Sequence, residues 1–178
     1  DRWGRGEVGI RALFRSALRL RPDRVIIGEV RGGEALDVIQ AMTSGHAGSM
    51  TTLHATSPMD ALNRLETLAM MNELEMPLHA LRAQIGSAID VVVQMTRFPD
   101  GRRVVTGIAE VLPLGDAGHY RLRDLFTYRV AAGGEGPARE VLEPTGEVSR
   151  FADEARVRIL RDEMDLTRPI FRADGEDT

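Results

Sequence analysis

The sequence predicts an α/β fold: a mostly parallel sheet flanked by helices, then a β-rich C-terminal extension and a terminal helix. Up to about residue 90, short β-branched runs alternate with stretches in which apolar residues recur every three or four positions. That alternation is typical of strands and helices wound into one sheet. Beyond that point alternating, strand-like runs flank turn signals, which is typical of antiparallel hairpins. Hydrophobic residues make up 43% of the chain, which is enough for a buried core.

Five stretches have the apolar spacing of helices. The first carries a single apolar stripe and ends at Pro22, whose ring cannot continue a helix. Ser57 and Pro58 form a strong start signal, because an N-cap residue is followed by proline at the first helical position. The predicted helices are residues 7–21, 34–42, 57–71, 77–89 and 150–166.

Five other stretches have the character of strands. Residues 23–30 contain a β-branched run between proline and glycine signals, which predicts a parallel-sheet strand buried on both faces. Turn signals at residues 98–101 and 115–118 separate the later strands. Whether those strands extend the first sheet in antiparallel fashion or form a small separate lobe stays open at this point. The predicted strands are residues 23–30, 49–55, 91–95, 103–111 and 120–130.

The composition excludes several kinds of protein. With no Cys, the chain has no disulfide, no thiolate metal site and no Cys nucleophile. A net charge of −4 disfavours binding to nucleic acid through overall charge. No apolar run approaches the ~20 residues that a membrane-spanning helix needs, so we expect any membrane role to come through a partner.

The basic residues bear on nucleotide binding. All 23 of them are Arg and none is Lys. A phosphate-binding loop of the G-x-x-x-x-G-K-[ST] type needs a Lys whose ammonium reaches the β- and γ-phosphates, so these residues contain no such loop. The chain also starts in the middle of a pattern and without Met, and we therefore expect a fragment of a longer protein.

A carboxylate follows the first predicted strand. Glu29 lies at the C-terminal tip of that strand, which is where open α/β sheets place their ligands. In an enzyme that hydrolyses nucleotides, a Glu at this position polarises the attacking water or holds Mg²⁺ through water. The alternative is that Glu29 only caps the strand or pairs with Arg31.

Two histidines flank the second predicted strand, in the stretch Gly45–Ala55. An imidazole next to a γ-phosphate can hydrogen-bond it, so His46 and His54 are candidate phosphate contacts. The alternatives are a surface His46 and a hydrogen-bonded core His54. Zinc is disfavoured, because the two histidines stand eight positions apart and no further His lies near them in sequence.

Four arginines lie close to the acidic residue. A guanidinium cannot lose its charge and holds phosphate through a planar fork, so one or two of the four are candidates for stabilising a phosphate. Salt bridges to Glu29, Glu34 and Asp23 are the alternative. The four arginines are Arg19, Arg21, Arg24 and Arg31.

Taken together, these stretches resemble the type II/type IV secretion ATPases, a family within the P-loop NTPases. Residues 21–31 are similar to the Walker B box of that family, and residues 45–55 are similar to its His box. Among its branches, the CpaF/TadA type that drives tight-adherence (Flp) pilus assembly is the most similar. That closer resemblance lies in residues 31–37, 60–66, 107–111 and 122–126, and the whole resemblance covers residues 4–130.

The resemblance implies an architecture and a set of partners. It implies the C-terminal half of a RecA-like core in residues 1–114, an extension in 115–172 and a tail in 173–178. It further implies a homo-hexameric ring at the inner face of the cytoplasmic membrane, an inner-membrane platform protein of a pilus or secretion system as partner, and ATP with Mg²⁺ as cofactors. The family's Walker A loop, the acidic box before it and its N-terminal domain have no counterpart in these residues.

The resemblance also implies roles for single residues. Glu29 is the expected Walker B acid, in contact with Mg²⁺ through water, and His54 is the expected phosphate-sensing histidine. Arg19 is expected to reach a nucleotide at a subunit interface. The other expected contacts to the cofactor are Arg31, His46 and Thr52.

Three functions are consistent with the sequence. The leading one is part of a motor that couples ATP hydrolysis to pilus assembly or protein secretion, with this chain inactive by itself. The second is a non-catalytic, truncated paralogue that acts as an interaction or regulatory subunit of such a ring. The third is a nucleic-acid motor, which the acidic balance and the 4% aromatic content disfavour.

Overall fold

The computed structural model of the chain describes residues 6, 8–74, 76–131 and 139–152. These residues form two units, one made of the described residues up to Asp90 together with Pro113–Tyr120, the other of Val91–Leu112 and the described residues from Arg121 onward. Most of the predicted terminal helix at 150–166 and the whole predicted tail lie outside the described residues. The predicted domain boundaries at residues 114 and 172 stay predictions.

The described residues of the first unit form four helices and two short strands. The four helices predicted between residues 7 and 89 are confirmed, with α3 starting where expected: the Ser57 hydroxyl accepts a hydrogen bond from the Asp60 N–H at 3.1 Å, and Pro58 is the first helical residue. The first helix is shorter than predicted, because the chain leaves helical geometry before Pro22 and Arg21 takes a left-handed φ of 50°. The helices are α1 (Ile10–Leu18), α2 (Glu34–Thr43), α3 (Pro58–Ala69) and α4 (Leu78–Ala88).

The core of the first unit is built mainly from α2, α3 and α4. Helix α2 is buried along most of its length, and Ile39 at its centre is fully inaccessible to solvent. Leu62 of α3 and Ile85 of α4 are inaccessible as well or nearly so. These are residues whose helical spacing predicts burial, and removing them from water supplies the main favourable term of this unit.

The two strands of the first unit pair in parallel. Ile26 of β1 (Ile26–Ile27) is paired with Met50 of β2 (Met50–Thr51), so the predicted parallel arrangement is confirmed. Both strands are far shorter than predicted, and the prediction that the first is buried on both faces is wrong, since Ile26 is 72% exposed. Burial on both faces requires neighbouring strands and a helical layer on each side, whereas the described residues contribute only two strands to this sheet.

The second unit is an antiparallel sheet in the order β3-β4-β5-β6. The β3–β4 hairpin closes over the predicted turn, where the Phe98 N–H donates to the Arg102 carbonyl at 2.8 Å and Gly101 has a φ of 89°. Among the described residues these strands therefore form a sheet of their own and do not extend the parallel pair. The strands are β3 (Val91–Arg97), β4 (Arg103–Leu112), β5 (Arg121–Ala131) and β6 (Arg139–Pro144).

Glu110 of β4 is a buried charge that organises the second unit. It is fully inaccessible, and its carboxylate accepts hydrogen bonds from the Ser149 hydroxyl at 2.8 Å and from the Arg150 N–H at 3.0 Å. The Arg123 guanidinium lies 3.8 Å away. A buried carboxylate is tolerated when donors surround it, and these donors fix the segment after β6 against the sheet.

No helix among the described residues combines the length and the hydropathy that crossing a bilayer requires.

Candidate functional site

The candidate site lies at the carboxyl ends of β1 and β2. Glu29 follows β1 and His54 follows β2, and because the strands are parallel these residues lie at the same edge of the pair. Beyond the strands the Val30 N–H donates to the Thr52 carbonyl at 3.0 Å, which keeps the two segments together.

Glu29 is held by two donors on different oxygens. Its Oε1 lies 3.0 Å from Nε2 of His54, and its Oε2 lies 2.6 Å from Nε and 2.5 Å from Nη2 of Arg31. The Glu29 side chain is 22% exposed, whereas those of Arg31 and His54 are 80% and 90% exposed. Glu29 therefore does pair with Arg31, as the sequence left open, and His54 is not a core histidine.

The environment keeps Glu29 ionised. The hydrogen bond from the Arg31 guanidinium, followed by the charges of Arg31 and His54 and the His54 hydrogen bond, holds the pKa of this carboxyl below its ordinary value despite some desolvation. An ionised carboxylate accepts protons and hydrogen bonds only, so at neutral pH Glu29 can orient a water molecule or a hydrated cation.

A turn fixed from two sides carries Arg31. The Glu34 carboxylate, in the first turn of α2, accepts hydrogen bonds from the Arg31 N–H at 2.8 Å and the Gly32 N–H at 3.1 Å. From the other side, the Asn72 side-chain amide donates to the Gly33 carbonyl at 2.9 Å. Glu34 thus caps the start of α2, and none of the described arginine side chains forms a salt bridge with it.

His46 lies apart from this edge. It precedes β2, so it lies near the amino end of the parallel pair while Glu29 and His54 lie at the carboxyl end. Its backbone N–H donates to the Ala41 carbonyl, and its Nδ1 is buried without a hydrogen-bond partner in the described part of the chain. A contact between His46 and a nucleotide stays a prediction.

Three of the four arginines are not brought to the site by the described residues. Arg19 is the C-cap residue of α1 and is exposed. The Arg24 side chain lies next to Gly48, and these two residues precede β1 and β2 respectively. Within the described ranges no carboxylate forms a salt bridge with Arg19, Arg21 or Arg24, so the ion pairs left open for these three are not formed there. A role for Arg19 at a subunit interface stays a prediction.

Sequence reasoning missed Glu34 and Asn72 as parts of the site. Glu34 had a local signal, since it stands at the start of a helix where an acid can accept from the preceding backbone N–H groups. Asn72 had none, because it reaches a carbonyl 39 residues away in the chain.

The arrangement fits a phosphate and a hydrated cation. Two exposed donors, the Arg31 guanidinium and the His54 imidazole, suit phosphate oxygens. The described residues contain no group of three or more His, Asp or Glu that would hold a metal on their own. A single carboxylate fits Mg²⁺, which keeps most of its waters and is shared with substrate phosphates.

Comparisons with known proteins give one consistent result. Residues 3–120 match the family model described as type II/IV secretion system protein. A putative conjugal transfer protein of Mycobacterium tuberculosis is 42% identical over 106 residues, covering 60% of this chain and 30% of that protein. The type IV secretion system protein PtlH of Bordetella pertussis is 46% identical over 87 residues, covering 48% of this chain and 26% of that protein.

A solved structure shares the fold. The VirB11 ATPase from the Brucella suis type IV secretion system, in complex with sulphate, aligns with a TM-score of 0.54 at 34% identity, covering 58% of this chain and 32% of that chain. The chain therefore spans about a third of the length of these relatives.

Proposed function

Because the chain belongs to the type II/IV secretion system protein family, we propose that it is part of an ATPase motor that powers secretion or pilus assembly. The contact between Glu29 and His54 at the carboxyl edge of a parallel strand pair carries this proposal. It joins an ionised carboxylate to an exposed imidazole at the edge where such sheets place their ligands.

Each residue of the site has a distinct task in the proposed reaction. Bound ATP with Mg²⁺ supplies the phosphoanhydride bond that is hydrolysed. Glu29 orients the attacking water and contacts the hydrated cation, since its carboxylate is ionised. Arg31 and His54 are exposed and donate hydrogen bonds to phosphate oxygens, so release of phosphate changes the partners of both.

The remaining parts of the motor lie outside these residues. We propose that a longer polypeptide supplies the phosphate-binding Lys that this chain lacks, and that the motor is a homo-hexamer in which Arg19 reaches a nucleotide of a neighbouring subunit. His46 is proposed as a further contact to the nucleotide, and Thr52 as a residue of the site that acts on the backbone beside Glu29. The chain by itself is proposed to be inactive.

We further propose the tight-adherence (CpaF/TadA) branch and a location on the inner face of the cytoplasmic membrane. Residues 31–37, 60–66, 107–111 and 122–126 support the branch. The partner is an inner-membrane platform protein, and we expect the longer polypeptide to co-purify with it from detergent extracts and its deletion to abolish pili on the cell surface. Normal pili in the deletion strain would exclude this branch.

ATP hydrolysis tests the central proposal. We expect no turnover by this chain, turnover by the longer polypeptide, and loss of at least about a hundredfold in the longer polypeptide carrying Glu29→Gln, because removing the catalytic carboxylate costs a general base. Glu73→Gln is the matched control, since Glu73 is exposed and forms no ion pair among the described residues. Turnover by this chain alone, or full activity of Glu29→Gln, would refute the proposal.

A further inference from the structure

The hydrogen-bond ladder that joins β1 and β2 continues beyond both strands, and its register shifts by one residue at Glu29. Met50 pairs with Ile26, and its N–H donates to the carbonyl of the preceding residue, Val25, at 2.9 Å. If the same regular pattern continued for two more residues, the Glu29 N–H would donate to the Thr52 carbonyl. Val30 donates to it instead, at 3.0 Å, so the first segment contains one extra residue at this point.

An extra residue bends a strand at that point and changes the direction in which a side chain there points. It also takes the regular partner, the Thr52 carbonyl, from the Glu29 N–H. Gly28, the residue before Glu29, is in a bend, and its carbonyl accepts a hydrogen bond from the Thr52 hydroxyl at 2.5 Å. Thr52 therefore binds the backbone on both sides of Glu29: its side chain holds residue 28 and its carbonyl holds residue 30.

We propose that Thr52 is the positioning residue of Glu29: its hydroxyl bridges the extra residue and thereby fixes the carboxylate between Arg31 and His54. The effect of Thr52 on catalysis rests on the proposed function. The hydrogen bonds of Thr52 are a property of this chain and do not depend on that function. The hydroxyl hydrogen of Thr52 is engaged by Gly28, so the hydroxyl serves the backbone and does not donate to a phosphate.

Valine and serine variants of this chain isolate the hydroxyl. Thr52→Val keeps the β-branched shape and removes the donor, and Thr52→Ser keeps the donor and removes a methyl group. Thr67→Val is the matched control, because among the described residues the Thr67 hydroxyl bonds the Asn63 carbonyl within its own helix and no other group.

The readouts are the Glu29 carboxyl pKa by carbon-detected NMR and the exchange rate of the Val30 amide. We expect Thr52→Val to raise the Glu29 pKa towards its ordinary value and to speed Val30 exchange about five- to tenfold, as loss of one hydrogen bond implies. Thr52→Ser and Thr67→Val should retain the wild-type values. An unchanged Glu29 pKa in Thr52→Val, or a Thr52→Ser variant that behaves like Thr52→Val, would overturn the proposal.

Kinetics of the longer polypeptide separate positioning from phosphate binding. Positioning predicts that Thr52→Val lowers kcat for ATP hydrolysis about tenfold or more at nearly constant KM, with rescue by Thr52→Ser. A raised KM at unchanged kcat would show a phosphate ligand instead and overturn the proposal. If the longer wild-type polypeptide shows no ATPase activity, only the proposed function is refuted. The role of Thr52 is still tested by the Glu29 pKa and the Val30 exchange rate, which are measured on this chain without turnover.

Discussion

At the scale of single residues, the site depends on how one carboxylate is shared. Arg31 and His54 bind different oxygens of Glu29, and both donors are exposed enough to exchange partners with a ligand. The carboxylate is less exposed than either donor, so we expect it to keep its place when the donors take a ligand. This asymmetry suits a site in which the acid is fixed and the phosphate contacts respond to the ligand.

Arg31→Gln should raise the Glu29 pKa towards its ordinary value, because the Arg31 hydrogen bond is the largest cause of its lowering. His54→Gln should raise it by less, since the His54 contributions are smaller. Carbon-detected NMR titration of the side-chain carboxyl measures both variants. A larger shift in His54→Gln than in Arg31→Gln would contradict this ranking.

The same lowered pKa sets the pH dependence of the pair. A carboxyl whose pKa is lower in the folded than in the unfolded state stabilises the fold above its unfolded pKa, and that contribution is lost as pH falls through the folded value. The acid-side loss of stability should therefore be smaller in Arg31→Gln than in the wild-type chain.

At the scale of elements, two contacts distant in sequence lock the helices of the first unit. The loop after α3 meets the start of α2, where Asn72 binds the Gly33 carbonyl and the backbone of residues 71 and 72 leaves no room for a side chain on Gly33. The segment before β5 meets α3, where the Tyr120 hydroxyl donates to Glu66. Each contact has its own test.

Gly33→Ala should destabilise the chain by about 1–3 kcal/mol, the usual cost of overpacking. An added Cβ would lie 2.9 Å from the Met71 carbonyl oxygen and 3.0 Å from backbone atoms of Asn72, neither of which can rotate away. Gly28→Ala is the control, because a Cβ there meets nothing within 4 Å. Urea denaturation compares the free energies of unfolding of the two variants. Equal values would show that the loop moves aside without loss of stability.

Tyr120→Phe should cost about 1 kcal/mol and weaken the alkaline sensitivity of the chain. The buried Tyr120 hydroxyl donates to Glu66 at 3.2 Å, and the Arg82 guanidinium holds the same carboxylate at 2.8 Å. Burial, followed by the Glu66 charge, raises the pKa of Tyr120 above its ordinary value.

The sign of that pKa change fixes the direction of the effect. A raised folded pKa means that the protonated tyrosine stabilises the fold fully below its unfolded pKa, about 10, and that this stabilisation is lost as pH rises beyond it. Thermal unfolding followed by circular dichroism between about pH 8 and 11 measures the change. If the phenylalanine variant loses as much stability as wild type over that range, Tyr120 is not the responsible group.

At the scale of the whole molecule, charge and composition limit what the chain binds. A net charge of −4, with acidic residues outnumbering the 23 arginines, disfavours binding to nucleic acid through overall charge. The arginines before β1 form only a local concentration of positive charge.

We therefore expect this chain to show no salt-dependent binding to duplex or single-stranded DNA. Fluorescence anisotropy of labelled DNA between about 50 and 200 mM salt measures it, since phosphate contacts weaken steeply over that range. Affinity that falls with salt would revive a nucleic-acid motor as the function.

The local features of the fold were predictable because their causes are local. Ser57 and Pro58 start α3 through contacts within four residues, and the 98–101 turn closes a hairpin between adjacent strands. Pro22 predicted the end of α1 at Arg21, whereas the helix already ends at Leu18 and Arg21 takes a left-handed φ. The exposure of Ile26 also escaped prediction, since it depends on what lies beside the strand and not on the strand itself.

The sequence by itself determined the class of elements, the motifs around Glu29 and His54, and the absence of the Lys that a phosphate-binding loop needs. Only the tertiary structure decided which residues meet: Glu29 with both Arg31 and His54, Thr52 with the Gly28 carbonyl, and Asn72 with Gly33. The physical reason is that helix and turn signals act over a few residues. Apart from the Glu29–Arg31 pair, which spans two residues, these contacts join residues that lie tens of positions apart, and they form only once the strands are paired and the helices packed.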